Sequence, residues 1–553
     1  MKVLILGGYG VFGGRLARLL ADVPELELVV AGRSAAKARD FCTQYESAAT
    51  MTPAVVDRRE IEPALAALRP DVLVDASGPF QEYGESRYDV VRCCIRRRIN
   101  YLDLADAPEF VRGVSRFDGA AKDAGVFVLS GISSFPALTS AVVHELRRRL
   151  TVRTLSVAIA PSPGAGVGKN VMRVVLGYSG SPIRLTRHGE PATGIGLVDN
   201  RRYTIAPPGH LPLYNRRFSL VDVPDLTLLP AEFAEIEDIW IGAGPVPEVL
   251  QRLLNLLALL RWRLGLPSLA PLAGLCHWAI NAFRFGEHRG GMLVEAGDGR
   301  GKTIAWHLLA EGDDGAYIPS MAAESIVRGT LGGNPPRAGA RAGTSALTLD
   351  DYREVFGSRE IHMGIRHMGT RDVSAHRRSL FHGILGDRFD SLPTPVRQLH
   401  DGGAAQWRGR VTVTGARGLA GRLVARIFGF PIRDDETDAR VEITPAGDDE
   451  IWVRTFGTKA FQSRLSRGEG RDAWLLCERF GAVSVSIALL LRDGKLWYVP
   501  RRWRLGPLPL PRALLPGGRS FETERHGAFA FDVTIEAPIV GLIAGYRGTL
   551  KRA

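Results

Sequence analysis

Cysteine is scarce in this 553-residue chain and is never arranged for chemistry. Cys42, Cys93, Cys94, Cys276 and Cys477 make no CxxC pair and no Cys/His spacing suited to zinc. That excludes a disulfide scaffold and a zinc module, and it predicts free thiols, no metal and a cytoplasmic location. No targeting peptide is read at the start, because Met1-Lys2 runs straight into a strand and a glycine loop. Apolar runs of the ~20 residues needed to span a membrane are also missing. So are low-complexity tracts and short repeats. Lysine is rare, 8 residues against 63 arginines, within a net charge of +12. The excess of base is greatest in residues 371–553, with 29 Lys and Arg against 20 Asp and Glu. A basic surface attracts nucleic acid or anionic lipid, but no nucleic-acid module accompanies it and nucleic acid is excluded as a partner.

What is present begins at once. Val3 to Leu6 form an apolar run of the kind buried on both faces of a parallel sheet. Gly8-x-Gly10-x-x-Gly13 follows, and Arg15 to Leu20 open an amphipathic helix. In that setting Gly8 permits a tight turn, Gly10 lets a pyrophosphate approach the backbone, and Gly13 lets helix and strand pack closely. The phosphate would rest on unpaired amides at the positive end of the helix, so Tyr9, Val11 and Phe12 join the three glycines as expected cofactor contacts. The second strand, Leu26 to Ala31, ends in Gly32-Arg33-Ser34. A carboxylate there would bond the ribose of NAD, whereas a guanidinium and a hydroxyl suit a 2′-phosphate. This predicts NADP(H), with a merely solvated Arg33 as the alternative. Val55 to Asp57 end a third strand, placing Asp57 near the cofactor, and Asp71 to Phe80 carry a fourth into the Ser77-Gly78-Pro79 loop. Alternation of this kind describes a doubly wound α/β sheet with its ligand at the carboxyl ends of the strands.

The stretches "LGGYGVFGGRLARLL", "VVAGRS", "VDASGPFQEYGESRYDVVRCCIRRRINYLDLAD" and "LSGISSFPALTSAVV" together resemble the saccharopine dehydrogenase-like NAD(P)-binding oxidoreductases. The resemblance implies that the Ser77–Tyr83 loop, the Tyr101-x-Asp103 strand and the strand end near Gly131 line a nicotinamide cleft. It thereby nominates Tyr83, Tyr101 and Asp103 as catalytic candidates: Tyr83 as a proton donor, Asp103 as a residue orienting loops. Members acting on amino acids carry an acidic residue and a histidine after that strand end. Here stands Ile132-Ser133-Ser134-Phe135-Pro136, without charge. An apolar mouth is therefore expected, suited to a lipophilic substrate.

Four segments follow: an NADP-binding Rossmann domain over 1–135, an α+β substrate or dimerisation domain over 136–335, a linker and return segment over 336–374, and a β-rich domain over 375–553. Within the second, "VLQRLLNLLALLRWRLGLPSLAPLAGLCHWAINAF" reads as core helices or a homodimer contact, with an amphipathic lid at a lipid surface as the alternative. Alternating runs from "GRVTVTG" to "GLIAGYRGTL" read as antiparallel hairpins curled around one helix, "LAGRLVARIFGF", in a barrel or half-barrel. This part resembles DUF4166, a domain of unknown function. The aromatic-basic run Trp497 to Arg504 suits peripheral contact with anionic lipid or a charged edge strand equally well. Two functional readings result. One is an NADP(H)-dependent oxidoreductase reducing a C=C, C=N or C=O group of an apolar small molecule. The other is a non-catalytic NADP(H) sensor or scaffold whose barrel holds a lipophilic ligand or partner.

Overall fold

In the computed structural model, residues 1–553 are described except 167, 245–247, 283–286, 370–378 and 431–433. Two compact units emerge, one of residues 1–203 and 216–362, the other of 204–215 and 363–553.

The first unit opens with a parallel sheet built as the apolar runs predict. β1 (Lys2–Leu6), β2 (Glu27–Gly32), β3 (Thr50–Val55), β4 (Val72–Asp75), β5 (Asn100–Asp103) and β6 (Phe127–Ser130) stand in the order β6-β5-β4-β1-β2-β3. Leu4 pairs with Val29 on one side and Leu73 on the other, and all three are buried, which explains the continuous apolar strands. β1 and β4 are parallel, but successive strands are added in one direction from β1 to β3 and in the other from β4 to β6, so the crevice for a ligand opens at the carboxyl ends of β1 and β4. Residues 336–374, expected as a linker and return segment, supply a seventh strand, Gly339–Ala342, parallel to β6. They also supply a helix, Leu349–Phe356, closed by a capping box between Thr348 and Asp351.

A second sheet in this unit is centred on strands Asp238–Ala243, Thr154–Ala160, Arg289–Gly297 and Lys302–Glu311. The leucine-rich helix Glu248–Leu264 does not lie in the core. Its buried positions are Gln251, Leu254, Asn255 and Ala258, with Gln251 and Asn255 donating to Ser219 Oγ at 2.7 Å. Val249, Leu253, Leu260 and Leu264 are exposed, as are Leu275 and Trp278 on the helix Ala273–Ala282. The core-helix expectation is thereby corrected: polar residues satisfy a buried Ser–backbone cluster, and most of the leucines, Leu254 excepted, face out. Among the described residues no helix is long and apolar enough to cross a membrane.

The second unit is a closed, ten-stranded antiparallel barrel. Its strands follow one another from Ala405–Thr414 to Gly541–Arg552, and the last pairs with the first, Thr412 opposite Arg547. Inward positions alternate as predicted: Trp407, Val411 and Val413, then Ala439, Val441 and Ile443, are all buried. The helix Gly418–Phe428 does not fill this barrel. It buries Gly421 and Ala425 while Leu419, Leu423 and Ile427 stay exposed, so it covers one end and the sheet does not wrap around it.

Candidate active site

Between β1 and α1 (Val11–Leu19) the chain turns within four residues. Gly7, at φ +78°, takes the left-handed step that the motif reading gave to Gly8. Gly8 is needed for another reason, since a Cβ there would stand 2.8 Å from Ile5 O. A Cβ on Gly13 would stand 2.4 Å from Gly7 O, so this residue seats the helix against the turn. Gly10 differs: it is exposed, and a Cβ would meet only Gly7 O, at 3.0 Å. The first helical bond at this end runs from Gly14 N to Gly10 O, which leaves the amides of Val11, Phe12 and Gly13 ahead of the ladder. No side chain caps them. Open amides, a positive helix end and a Cβ-free approach together fit a phosphate diester.

At the end of β2 the Tyr9 hydroxyl accepts from Ser34 N at 2.9 Å and its ring covers Gly32. Ser34 caps the helix Ala35–Gln44, accepting from Lys37 N at 3.4 Å. Arg33 is exposed and has no hydrogen-bond or ion-pair partner among the described residues. Asp57, also exposed, caps a single turn by accepting from Arg59 N at 2.9 Å.

The end of β4 carries the most connected group. Asp75 is fully buried, and its Oδ1 accepts from Ser77 N at 3.0 Å and Ser77 Oγ at 2.5 Å. Because that spends the Ser77 proton, the Tyr83 hydroxyl donates to Ser77 Oγ across 2.9 Å. Arg58 donates its Nε to Asp75 Oδ2 at 3.2 Å and lies 3.7 Å over the Tyr83 ring. Burial pushes the Tyr83 phenol well above its ordinary value, so it keeps its proton at neutral pH. Burial opposes the Arg58 charge most strongly, but Asp75 together with the Tyr101 and Tyr83 phenols outweighs it and raises the guanidinium. Neither Asp75 nor Arg58 stood out in the sequence. Asp75 ends what looks like an apolar strand, and Arg58 lies in a charged turn.

The other nominated residues sit deeper. Tyr101 is wholly buried on β5. Asp103 is buried too, and its Oδ1 accepts from Gly131 N (2.8 Å), Ala105 N (3.0 Å) and Ser130 Oγ (3.0 Å), tying the ends of β5 and β6 together. Burial pushes its carboxyl up to about 7 despite those three bonds. Gly78 and Pro79 lead into the Tyr83 turn, and Gly78 O accepts from Asn170 at 3.4 Å. Arg173 pairs with Glu82 at 3.3 Å on the same helix, Lys169–Tyr178, which thus borders the loop.

Charge was not expected at this mouth, yet two carboxylates are there. Asp106 accepts from Gln81 at 3.0 Å. Asp106 and Asp222 are open to water but crowded by protein, and desolvation raises both carboxyls. Each also raises the phenol of Tyr178, after burial. The uncharged Ile132–Pro136 turn is real, but residues distant in sequence bring the acid. Among the described residues no cluster of His, Cys, Asp and Glu is arranged to hold a metal.

Residues 3–129 match the family model of the saccharopine dehydrogenase NADP binding domain, and residues 392–550 match DUF4166, a domain of unknown function. No curated protein matches the chain. Among solved structures, the L-Glu-forming saccharopine dehydrogenase of Saccharomyces cerevisiae is similar at 15% identity and TM-score 0.47, over 66% of this chain and all of that one. An amine dehydrogenase from Mycobacterium smegmatis is similar at 10% identity and TM-score 0.33, over 62% of this chain and 95% of that one. A probable dehydrogenase from Thermotoga maritima is similar at 11% and 0.33, over 66% and 98%. The head of the chain is thus a saccharopine dehydrogenase-type NADP binding domain, the cofactor module of an NAD(P)-dependent oxidoreductase, and its tail is a DUF4166 domain of unknown function.

Proposed function

We propose that the protein uses NADP(H) to reduce a C=C, C=N or C=O group on a small molecule with an apolar body. The observation that carries this reading is the pairing of two features at the carboxyl ends of β1 and β4. One is an uncapped, Cβ-free helix start, and the other is a proton-holding phenol anchored through Ser77 to a buried carboxylate. The bound dinucleotide supplies hydride chemistry. The chain's residues do the rest: the amides of Val11 to Gly13 receive the phosphates, Arg33 faces the 2′-phosphate, and Tyr83 holds a proton beside the cleft. Asp75 and Arg58 fix Ser77 and Tyr83 in place. Of the three reducible groups, the Asp106 and Asp222 carboxylates favour C=N, which is cationic when protonated. The Ile132–Pro136 turn supports the apolar body.

The test is NADPH oxidation, followed by absorbance, against a panel of lipophilic cyclic imines, enones and ketones. Turnover with at least one class, lowered in Tyr83→Phe without loss of NADPH affinity, is expected. Tight NADPH binding with no turnover on any class would favour the non-catalytic reading.

A further inference from the structure

The barrel's interior belongs to no part of the reductase site, and it is not solid. It holds a cavity of about 660 Å³, within the range of small-molecule sites. The wall is apolar almost throughout, with Phe430, Val485, Phe531 and Val533 among its lining. Ten strands enclose a wider lumen than the eight that side chains can just fill. An apolar void of this size gains packing contacts when an apolar molecule enters.

The two ends of the cavity differ. At one end His400, fully buried, stacks on Phe381 at 3.6 Å and on Trp452 at 5.6 Å. Its Nε2 lies 2.6 Å from Glu522 Oε2 and 3.3 Å from the Tyr498 hydroxyl, and both Glu522 and Tyr498 line the cavity. Further along the wall, Arg454 donates to Ser463 Oγ at 2.8 Å and pairs with Glu478 at 3.2 Å. The opposite end lies under the helix Gly418–Phe428 and the turn after Ala537. There Leu419, Leu423, Ile427 and Ile539 are all exposed, Ile539 at 94%. Val424 and Phe428 of that helix line the cavity from within. An apolar rim over an apolar lumen is an entry path for a molecule that water rejects.

From this geometry we infer that the barrel binds one lipophilic molecule, apolar body in the lumen, with an uncharged hydroxyl or carbonyl head on the polar wall of Tyr498, Glu522, Arg454 and Glu478. The head is neutral because the described lining residues hold no spare cation for an anionic one. Arg454 is spent on Ser463 and Glu478, and an anionic head would meet two carboxylates for one guanidinium. A hydroxyl can donate to a carboxylate, and a carbonyl can accept from Tyr498. This inference is independent of the NADP(H) site.

The test titrates the full-length protein with the neutral dye N-phenyl-1-naphthylamine, then displaces it with hexadecan-1-ol or hexadecanoate. One dye per chain is expected, with the alcohol displacing it at several-fold lower concentration than the acid. Val485→Trp and Val533→Trp, which fill the lumen from two strands, should each weaken dye binding at least tenfold and leave NADPH binding unchanged. Leu423→Glu and Ile427→Glu, on the outer face of the helix, should keep the stoichiometry. Native mass spectrometry of the wild type should show one alcohol adduct per chain, which decides the matter even if a tryptophan variant does not fold. Binding lost in the helix variants but kept in the lumen variants would overturn the proposal in favour of a surface patch. Failure of the wild type to bind, or equal displacement by acid and alcohol, would overturn the cavity or its neutral head respectively.

Discussion

Replacing one glycine at a time in the first turn should separate folding from cofactor binding. In Gly13→Ala the new methyl stands 2.4 Å from Gly7 O, a backbone atom held by the bonds from Gly7 N and Gly8 N to Ala31 O. Nothing flexible can yield, so either α1 or the turn must move. Overpacking of this kind costs about 1–3 kcal/mol. For a domain of this size each kcal/mol lowers Tm by about 2–4 °C, giving a fall of about 2–12 °C. In Gly10→Ala the methyl meets only Gly7 O, at 3.0 Å, and points into open space. The structural cost is the loss of a good N-cap residue, about 0.5 kcal/mol, worth ~1–2 °C. Yet that methyl occupies the approach to the free amides, and NADPH affinity should fall at least tenfold. Differential scanning fluorimetry and a fluorescence titration on both variants give the two readouts. A Gly10→Ala protein that keeps wild-type NADPH affinity, or a Gly13→Ala protein that keeps wild-type Tm, refutes this division of labour.

Three further outcomes follow from the same geometry. Asp103, held at about 7 against an ordinary value near ~3.9, binds its proton more tightly folded than unfolded. Its contribution to stability is complete below about pH 4 and is lost as pH rises through 7, at up to ~1.4 kcal/mol per pH unit. Asp103→Asn should flatten the fall in Tm between pH 5 and 8, and an unchanged slope would show that the group does not titrate there. Ser77→Ala removes the link between Tyr83 and Asp75, and should lower kcat more than it raises KM for NADPH. A pure KM effect would mean that Ser77 serves binding alone. Gly421→Leu places a side chain against Leu542 O, 2.8 Å from its Cβ, and should lift the helix Gly418–Phe428 from the barrel and lower Tm by several degrees.

The parts legible in the sequence were those written in short-range pattern. The parallel strands showed as unbroken apolar runs because both faces are buried, and the barrel strands showed as alternation because one face is wet. The glycine turn was equally local. Its division of roles was not, since nothing in "LGGYG" says which glycine turns left-handed. The Asp75–Ser77–Tyr83–Arg58 group was half legible: the loop residues stood out, but their anchors come from the end of one strand and the turn after another. The helix Glu248–Leu264 misled for a physical reason. A leucine stripe has the same period whether it faces a core or solvent. Only the neighbours decide, here Ser219 and the Leu197 carbonyl waiting for Gln251 and Asn255. Asp106 and Asp222, which put charge into an expected apolar mouth, are 116 residues apart and meet only in the fold.

The central claim, an NADP(H) site with Arg33 as the selector, is tested most directly by titrating NADPH and NADH into wild type and Arg33→Ala. Arg33 is exposed and has no competing partner among the described residues, so its guanidinium is available to the 2′-phosphate. Solvent screening holds the gain near the low end for a charge-assisted contact, roughly tenfold in affinity. Wild type should bind NADPH about tenfold tighter than NADH, the gap should narrow with salt, and Arg33→Ala should lose it by weakening NADPH alone. Equal affinities in wild type, or equal weakening of both cofactors in the variant, would contradict the account.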